Sequence, residues 1–217
     1  ARSRSRRAGA GRDSVRVGLF GGSFDPIHRG HVNPVREARL GLDLERVVFL
    51  PTAQPPHKPD REFAPALARL TMTELALLDE DGLEVSPFEL TPERTAYTID
   101  SLEHFSDLYG DGQVVLLVGS DSLLQLDRWR RWRDIVADYE IGVLVRPGHE
   151  REAIDDRLPS EVRDAADAGR VRWVANVPVE ISSTELRRRL ASGGELPPGL
   201  VPELVLKYLR KYPDLYV

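Results

Sequence analysis

Two histidines close a short run whose chemistry suits phosphate. Gly21-Gly22-Ser23-Phe24-Asp25-Pro26-Ile27-His28-Arg29-Gly30-His31 follows an apolar stretch, Val15–Phe20, and opens a helical pattern over Arg29–Leu40. Strand, glycine turn and helix N-terminus in succession is how α/β folds hold a phosphate chain. Paired glycines let the backbone approach a ligand closely and take positive φ where the turn needs it. The first helical turn adds unpaired N–H groups and a partial positive charge. His28 and His31 stand three residues apart, so on a helix they share a face and both imidazoles can donate to phosphate oxygens. The bland reading is an ordinary βα turn with two surface histidines, but chance seldom sets both directly behind a glycine turn. The run lacks the GxxxxGK(S/T) of a P-loop and the GxGxxG of a dinucleotide fold, so this is a nucleotide site that uses His rather than Lys.

Stepping along the chain gives the elements that must hold this run in place. Val47–Leu50 is a continuous apolar segment, as in a buried parallel strand. Pro51-Thr52-Ala53-Gln54-Pro55-Pro56-His57-Lys58-Pro59 then cannot be helix or central strand. Loops at the carboxyl ends of parallel strands form the ligand crevice, so His57 and Lys58 stand where they could reach a triphosphate. Gly41 reads as the C-cap of the first helix, with Val32, Val35 and Leu40 as its core contacts. A second helix is expected over Phe63–Leu78, with Leu67, Leu70, Leu75 and Leu78 in the core, and a short strand at Leu83–Val85. A third helix begins within Glu93–Leu102, capped by Thr95 or Thr98.

Val114–Val118 is fully apolar and ends in the small polar turn Gly119-Ser120-Asp121-Ser122. Trp129 and Trp132 follow among Arg128, Arg130, Arg131 and Arg133. Burial is the default for tryptophan, but Trp129, in a crevice segment, could instead stack on a substrate's ring. Further strands are expected at Ile141–Val145, which leads to Arg146-Pro147-Gly148, and at Val171–Val174. Ile181-Ser182-Ser183-Thr184-Glu185-Leu186-Arg187 reads as a capped helix start. Ser183, Thr184 and Arg187 could equally form a second anion site there. Pro202–Tyr212 forms a last amphipathic helix. Strands thus alternate with helices. The fold class expected is α/β: a Rossmann-like, doubly wound, mostly parallel sheet of five or six strands with helices on both faces.

The 217 residues are 41% hydrophobic and 30% charged, the balance of a soluble globular protein. No apolar run is long enough to cross a membrane. The absence of cysteine excludes disulfides, Cys-ligated zinc and thiol catalysis, and fits a cytoplasmic enzyme. Net charge is −5, yet residues 1–14 carry +4, leaving −9 on the remainder. An acidic body argues against a broad nucleic-acid surface. Residues 1–14 are expected to be a disordered basic arm, and 15–217 a single domain.

The run at 21–31 resembles the (H/T)xGH signature of the nucleotidyltransferase superfamily, relatives of the class I aminoacyl-tRNA synthetases. Further segments are similar to the nicotinate-nucleotide adenylyltransferase family: VVFLPTAQPPHK at 47–58, TAYTIDSL at 95–102, VGSDSLLQLDRW at 118–129, VLVRPG at 143–148 and ISSTELRRRL at 181–190. The resemblance implies transfer of AMP from ATP to nicotinate mononucleotide, giving nicotinate adenine dinucleotide and pyrophosphate. It implies Mg²⁺ as the companion of ATP, small-molecule substrates and no nucleic-acid or membrane partner, and it leaves a homo-oligomer open.

Carried onto this sequence, the resemblance gives Gly21, Gly22, Ser23 and Phe24 the lining of the phosphate turn, and His28 and His31 the ATP phosphates. It gives Lys58 the triphosphate or the attacking phosphate, and Ser183, Thr184 and Arg187 the β- and γ-phosphates. Tyr97, Thr98 and Asp121 would border the mononucleotide and Trp129 would stack on its pyridine ring. No protein ligand to a metal is implied, and Asp25 suits a structural role in the turn as well as a metal role. Several family members carry an aromatic residue after the tryptophan, where this chain has Arg130. That cation either meets the substrate's carboxylate or is simply solvated. The motifs themselves do not fix acid against amide, so enzymes of nicotinamide mononucleotide, dual-specificity enzymes and those of phosphopantetheine are the rival transferases.

Overall fold

A computed structural model of the chain describes residues 15–53, 63–90, 97–110 and 113–216. Six parallel strands form one sheet: β1 (Val17–Gly22), β2 (Arg46–Pro51), β3 (Leu83–Val85), β4 (Val114–Gly119), β5 (Glu140–Leu144) and β6 (Val171–Val174). Their order is β3-β2-β1-β4-β5-β6. The chain winds outward from β1 in one direction and from β4 in the other, so the switch point falls between these two neighbours. Gly21 pairs with Leu50 and Gly22 with Pro51, while Val17 to Phe20 pair with Val114 to Leu117.

Strand side chains alternate between two cores. Val17, Leu19, Val48, Leu50, Leu116 and Val118 face one side. There they meet α3 (Thr98–Tyr109), α5 (Trp132–Asp138) and α7 (Ser160–Asp167). Phe20, Val47, Phe49, Val115 and Leu117 face the other side. They meet α1 (Arg29–Gly41), α2 (Ala66–Leu77), α8 (Ser183–Ala191) and α9 (Glu203–Lys211). Single-turn helices α4 (Ser120–Leu123) and α6 (Arg151–Ile154) complete the described α-helices, and four short 3₁₀ turns, among them Pro213–Tyr216, lie between or after them. Burial on both faces is why β2 and β4 read as unbroken apolar runs. Each helix that precedes or follows a strand runs antiparallel to it. The N-termini of α1, α3, α5 and α8 therefore all lie at the carboxyl edge of the sheet.

Several expectations shift by a residue or a face. The two glycines belong to β1, and neither takes positive φ; the left-handed residue of the turn is Phe24, at φ 45°. Gly41 is the last helical residue of α1, and the left-handed position falls on Asp43 at φ 55°. Leu40 is exposed. On α2 the buried stripe is Arg69, Met72, Thr73, Ala76 and Leu77, whereas Leu67 is 73% exposed and Leu78 is also at the surface. Leucines at helical spacing fit two faces equally well, and the docking of α9 selects the other one. Tyr97 rather than Thr98 occupies the N-cap of α3, while Thr95 lies outside the described residues. Ser182, not Ser183 or Thr184, caps α8 by accepting from the Glu185 N–H at 3.2 Å.

The face assignment of α2 makes a simple prediction for urea unfolding. Met72→Ala should cost about 2–5 kcal/mol, and Leu67→Ala less than about 0.5 kcal/mol. Equal costs would mean that α2 is rotated.

Candidate active site

The turn between β1 and α1 is built around Phe24. Its left-handed backbone drives the ring into the core beside Phe20 and Phe49, at centroid distances of 5.7 and 5.5 Å. A Cβ on Gly22 would lie 2.8 Å from that ring, so the strand can end there only as glycine. The ring also meets the edge of His31, at 5.4 Å and 90°. His28, fully buried, is the N-cap of α1, and its backbone N–H donates to His31 Nδ1 at 3.3 Å. The two imidazoles pair at 3.8 Å between centroids. Gly30 between them makes this possible, because a Cβ there would stand 3.0 Å from the His28 ring and 2.8 Å from Ile181. Both histidines thus face one spot at the helix head. His28 does so from the cap rather than from within the helix.

Arg69 fixes the turn from below. It is 1% exposed and reaches four carbonyls: Ser23 O at 2.6 Å, Thr52 O at 2.8 Å, and Ala53 O and Ala64 O at 2.9 Å each. Asp25, also buried, accepts from the Ala64 N–H at 3.2 Å and from the Tyr216 hydroxyl at 2.9 Å. These bonds give Asp25 a structural part in the turn. Arg187 of α8 donates to Asp25 O and lies 3.6 Å from its carboxylate. Ser183 donates to Pro26 O at 3.1 Å, and Arg187 to Thr184 Oγ1 at 3.0 Å. The serine, threonine and arginine of the last motif are therefore gathered onto the histidine turn, although Ser183 lies 157 residues from Pro26 in sequence.

Arg146 at the end of β5 was not singled out by the sequence, yet it completes the site. Its guanidinium donates to Gly30 O at 3.1 Å and lies 3.9 Å from Asp121. Its backbone N–H donates to Ser120 Oγ at 2.9 Å. Pro34 explains why Gly30 O is available. A helical residue 34 would have donated to that carbonyl, and proline has no N–H. The proline within the first helix was the legible signal. Glu89 was missed as well. Buried near Gly21, it accepts from Ser101 at 2.7 Å and Thr52 at 2.9 Å, which ties β2 to α3. Burial, opposed by those two hydroxyls, pushes its carboxyl above the usual range.

On the other face of the sheet, Tyr97, Thr98 and Trp129 are half-buried, and Tyr97 and Trp129 pack against the same core. Asp121 is exposed at the mouth between β4 and β5. Lys58 and His57 lie outside the described residues.

At the helix head two neutral imidazoles stand beside the Arg146 cation. Burial, and then the Arg146 cation, lower His28 to a pKa of about 3. Burial, His28 and Arg146 likewise hold His31 well below its ordinary value. Both rings are neutral at pH 7, and His28 Nδ1 has no hydrogen-bond partner among the described residues. A neutral imidazole donates from one nitrogen, so it can bind phosphate without carrying a buried charge when the site is empty. No group of three or more His, Cys, Asp or Glu among the described residues could cage a metal ion. No described helix is long and apolar enough to cross a membrane.

Comparison with known proteins gives the family and the fold. A family model described as cytidylyltransferase-like matches residues 19–189. A protein of Solibacter usitatus named "Probable nicotinate-nucleotide adenylyltransferase" is 40% identical over 200 residues, covering 91% of this chain and 98% of its own. One of the same name from Laribacter hongkongensis is 41% identical over 190 residues, covering 83% and 86%. The solved structure of Plasmodium falciparum nicotinic acid mononucleotide adenylyltransferase complexed with NaAD superposes with a TM-score of 0.71 at 17% identity, over 93% of this chain and 98% of that one. At that identity the last comparison speaks for the fold alone.

The histidine pair carries a pH signature. The folded protein binds fewer protons than the unfolded chain between the ordinary histidine pKa of 6.5 and about 3. Stability from His28 is thus complete above that window and falls with pH by up to about 1.4 kcal/mol per unit inside it. By NMR of the free protein, the His28 ring should stay neutral down to about pH 4.5; a midpoint near the ordinary value would refute its burial.

Proposed function

We infer the reaction of this chain from the family to which it belongs, the nicotinate-nucleotide adenylyltransferases of the cytidylyltransferase-like group. The chain transfers AMP from ATP to nicotinate mononucleotide, releasing pyrophosphate and forming nicotinate adenine dinucleotide. An oxygen of the mononucleotide's phosphate attacks the α-phosphorus of ATP, and the bond from that phosphorus to the pyrophosphate oxygen breaks. The attacking phosphate is already an anion at pH 7, so the step requires neither a protein nucleophile nor a strong base. Catalysis then consists of alignment and of stabilising charge on the α-phosphate and on the departing pyrophosphate.

The residues divide accordingly. His28 and His31 donate to the triphosphate at the head of α1, where the backbone of Gly21, Gly22, Ser23 and Phe24 gives close access. Arg146 brings positive charge from β5, and Arg187, with Ser183 and Thr184, brings it from α8. Lys58 meets the triphosphate or the attacking phosphate. Tyr97, Thr98 and Asp121 border the mononucleotide, whose ring rests on Trp129. Bound with ATP, Mg²⁺ would supply neutralisation of part of the phosphate charge beside these residues. The observation that supports this reading most is the pair of neutral imidazoles at the head of α1, 3.8 Å apart, with Arg146 bound to the carbonyl between them.

The test is pyrophosphate release with MgATP and nicotinate mononucleotide. Wild-type protein should turn over only when both substrates are present. His31→Ala should lower kcat by about 10²-fold or more, the scale of one lost transition-state donor. Near-normal turnover by the variant would remove His31 from the phosphate site.

A further inference from the structure

The segment after β4 presents an arginine that the phosphate chemistry does not use. The Arg130 guanidinium lies over the ring of Tyr97, 4.7 Å from its centroid. Tyr97 is the N-cap of α3, and Trp129, the neighbour of Arg130, packs half-buried against the same core. The chain is held in this course by the next residue. Arg131 takes a left-handed backbone at φ 53° and pairs with Glu103 of α3 at 2.7 Å and Asp134 of α5 at 2.6 Å. Arg133 is likewise paired, with Glu161 at 3.0 Å. Arg130 has no carboxylate partner among the described residues, although the body of the chain is acidic.

Stacking leaves the donors of Arg130 unused. All five N–H bonds of a guanidinium lie in its plane, so its place over an aromatic ring consumes none of them as hydrogen-bond donors. The exposed guanidinium thus lies over Tyr97, on the residue next to Trp129, and no carboxylate among the described residues pairs with it. We propose that Arg130, stacked on Tyr97, is the specificity residue that receives the carboxylate of the pyridine substrate. The inference rests on the adenylyltransferase reading above and adds the reason an acid would be preferred to its amide. A carboxylate forms a charge-assisted pair with the fork, whereas a carboxamide brings no charge and offers one acceptor oxygen.

The experiment compares kcat/KM for nicotinate mononucleotide and nicotinamide mononucleotide in wild type, Arg130→Gln and Arg130→Lys, with KM for ATP measured alongside. Wild type should prefer the acid. Arg130→Gln should lose about tenfold of that preference, through a higher KM for the acid, on the scale of one charge-assisted bond. The amide kcat/KM and the KM for ATP should move less than about twofold, because neither depends on the carboxylate pair. Arg130→Lys should recover part of the preference by keeping the charge without the fork. An unchanged acid-to-amide ratio in an active Arg130→Gln variant would overturn the proposal and leave the adenylyltransferase reading intact. A wild type without acid preference would overturn it too. No turnover with either mononucleotide would overturn the reading itself, and the proposal with it.

Discussion

A guanidinium sealed from water must find acceptors, and Arg69 finds them in the main chain. Burying a charge costs several kcal/mol unless every donor is satisfied. Four carbonyls at 2.6 to 2.9 Å satisfy four of its five N–H donors. They come from the β1–α1 turn, the chain just beyond β2, and the approach to α2. Three stretches that share no regular hydrogen-bond ladder are thereby held to a common centre. Burial lowers the pKa of Arg69, and the nearby Asp25 carboxylate opposes the shift. Asp25 in turn is tied to Ala64, Tyr216 and Arg187. The histidine turn is therefore rigid because it is bonded from beneath, which leaves its upper side to a ligand.

The charge distribution suits that ligand. Outside the first 14 residues the chain carries −9, so an anion has no general attraction to its surface. Attraction is concentrated where Arg146 and Arg187 reach the head of α1. A lysine at the position of His28 would have to bury an ammonium in the empty protein, at a cost that a neutral imidazole avoids. Under the proposed function, histidine would supply donors to phosphate and need carry no charge without it. The same economy leaves the reaction without an acid–base dyad, which phosphoryl transfer from an anionic nucleophile does not need.

How much of this could be read in the sequence depended on range. Strands buried on both faces announced themselves as apolar runs, and the parallel sheet with helices on both sides followed from their alternation with helices. The Gly-Gly…His-x-x-His run marked the candidate site because its parts are local. Side-chain partners that fold together from afar were not legible. Arg146 sits in the VLVRPG segment without a role that its neighbours disclose, and only the missing N–H of Pro34 hinted that a distant donor would meet Gly30 O. Arg69 looked like one polar residue of an amphipathic helix, whereas Leu67 and Leu78 were read onto the core face that Leu75 alone of the three joins. The glycines were credited with the positive φ that Phe24 takes, since no local rule puts a buried aromatic residue there. Ser182 displaced its two hydroxyl neighbours as cap by a single residue.

The central claim is that the paired imidazoles of α1 receive the triphosphate. Its most direct test is the ring ¹⁵N spectrum of His28 and His31 during titration of the full chain with MgATP at pH 7. The account predicts that both rings shift together, saturably and with one affinity, as a donor nitrogen of each engages phosphate. Binding of ATP with both spectra unmoved would show that the nucleotide lies elsewhere.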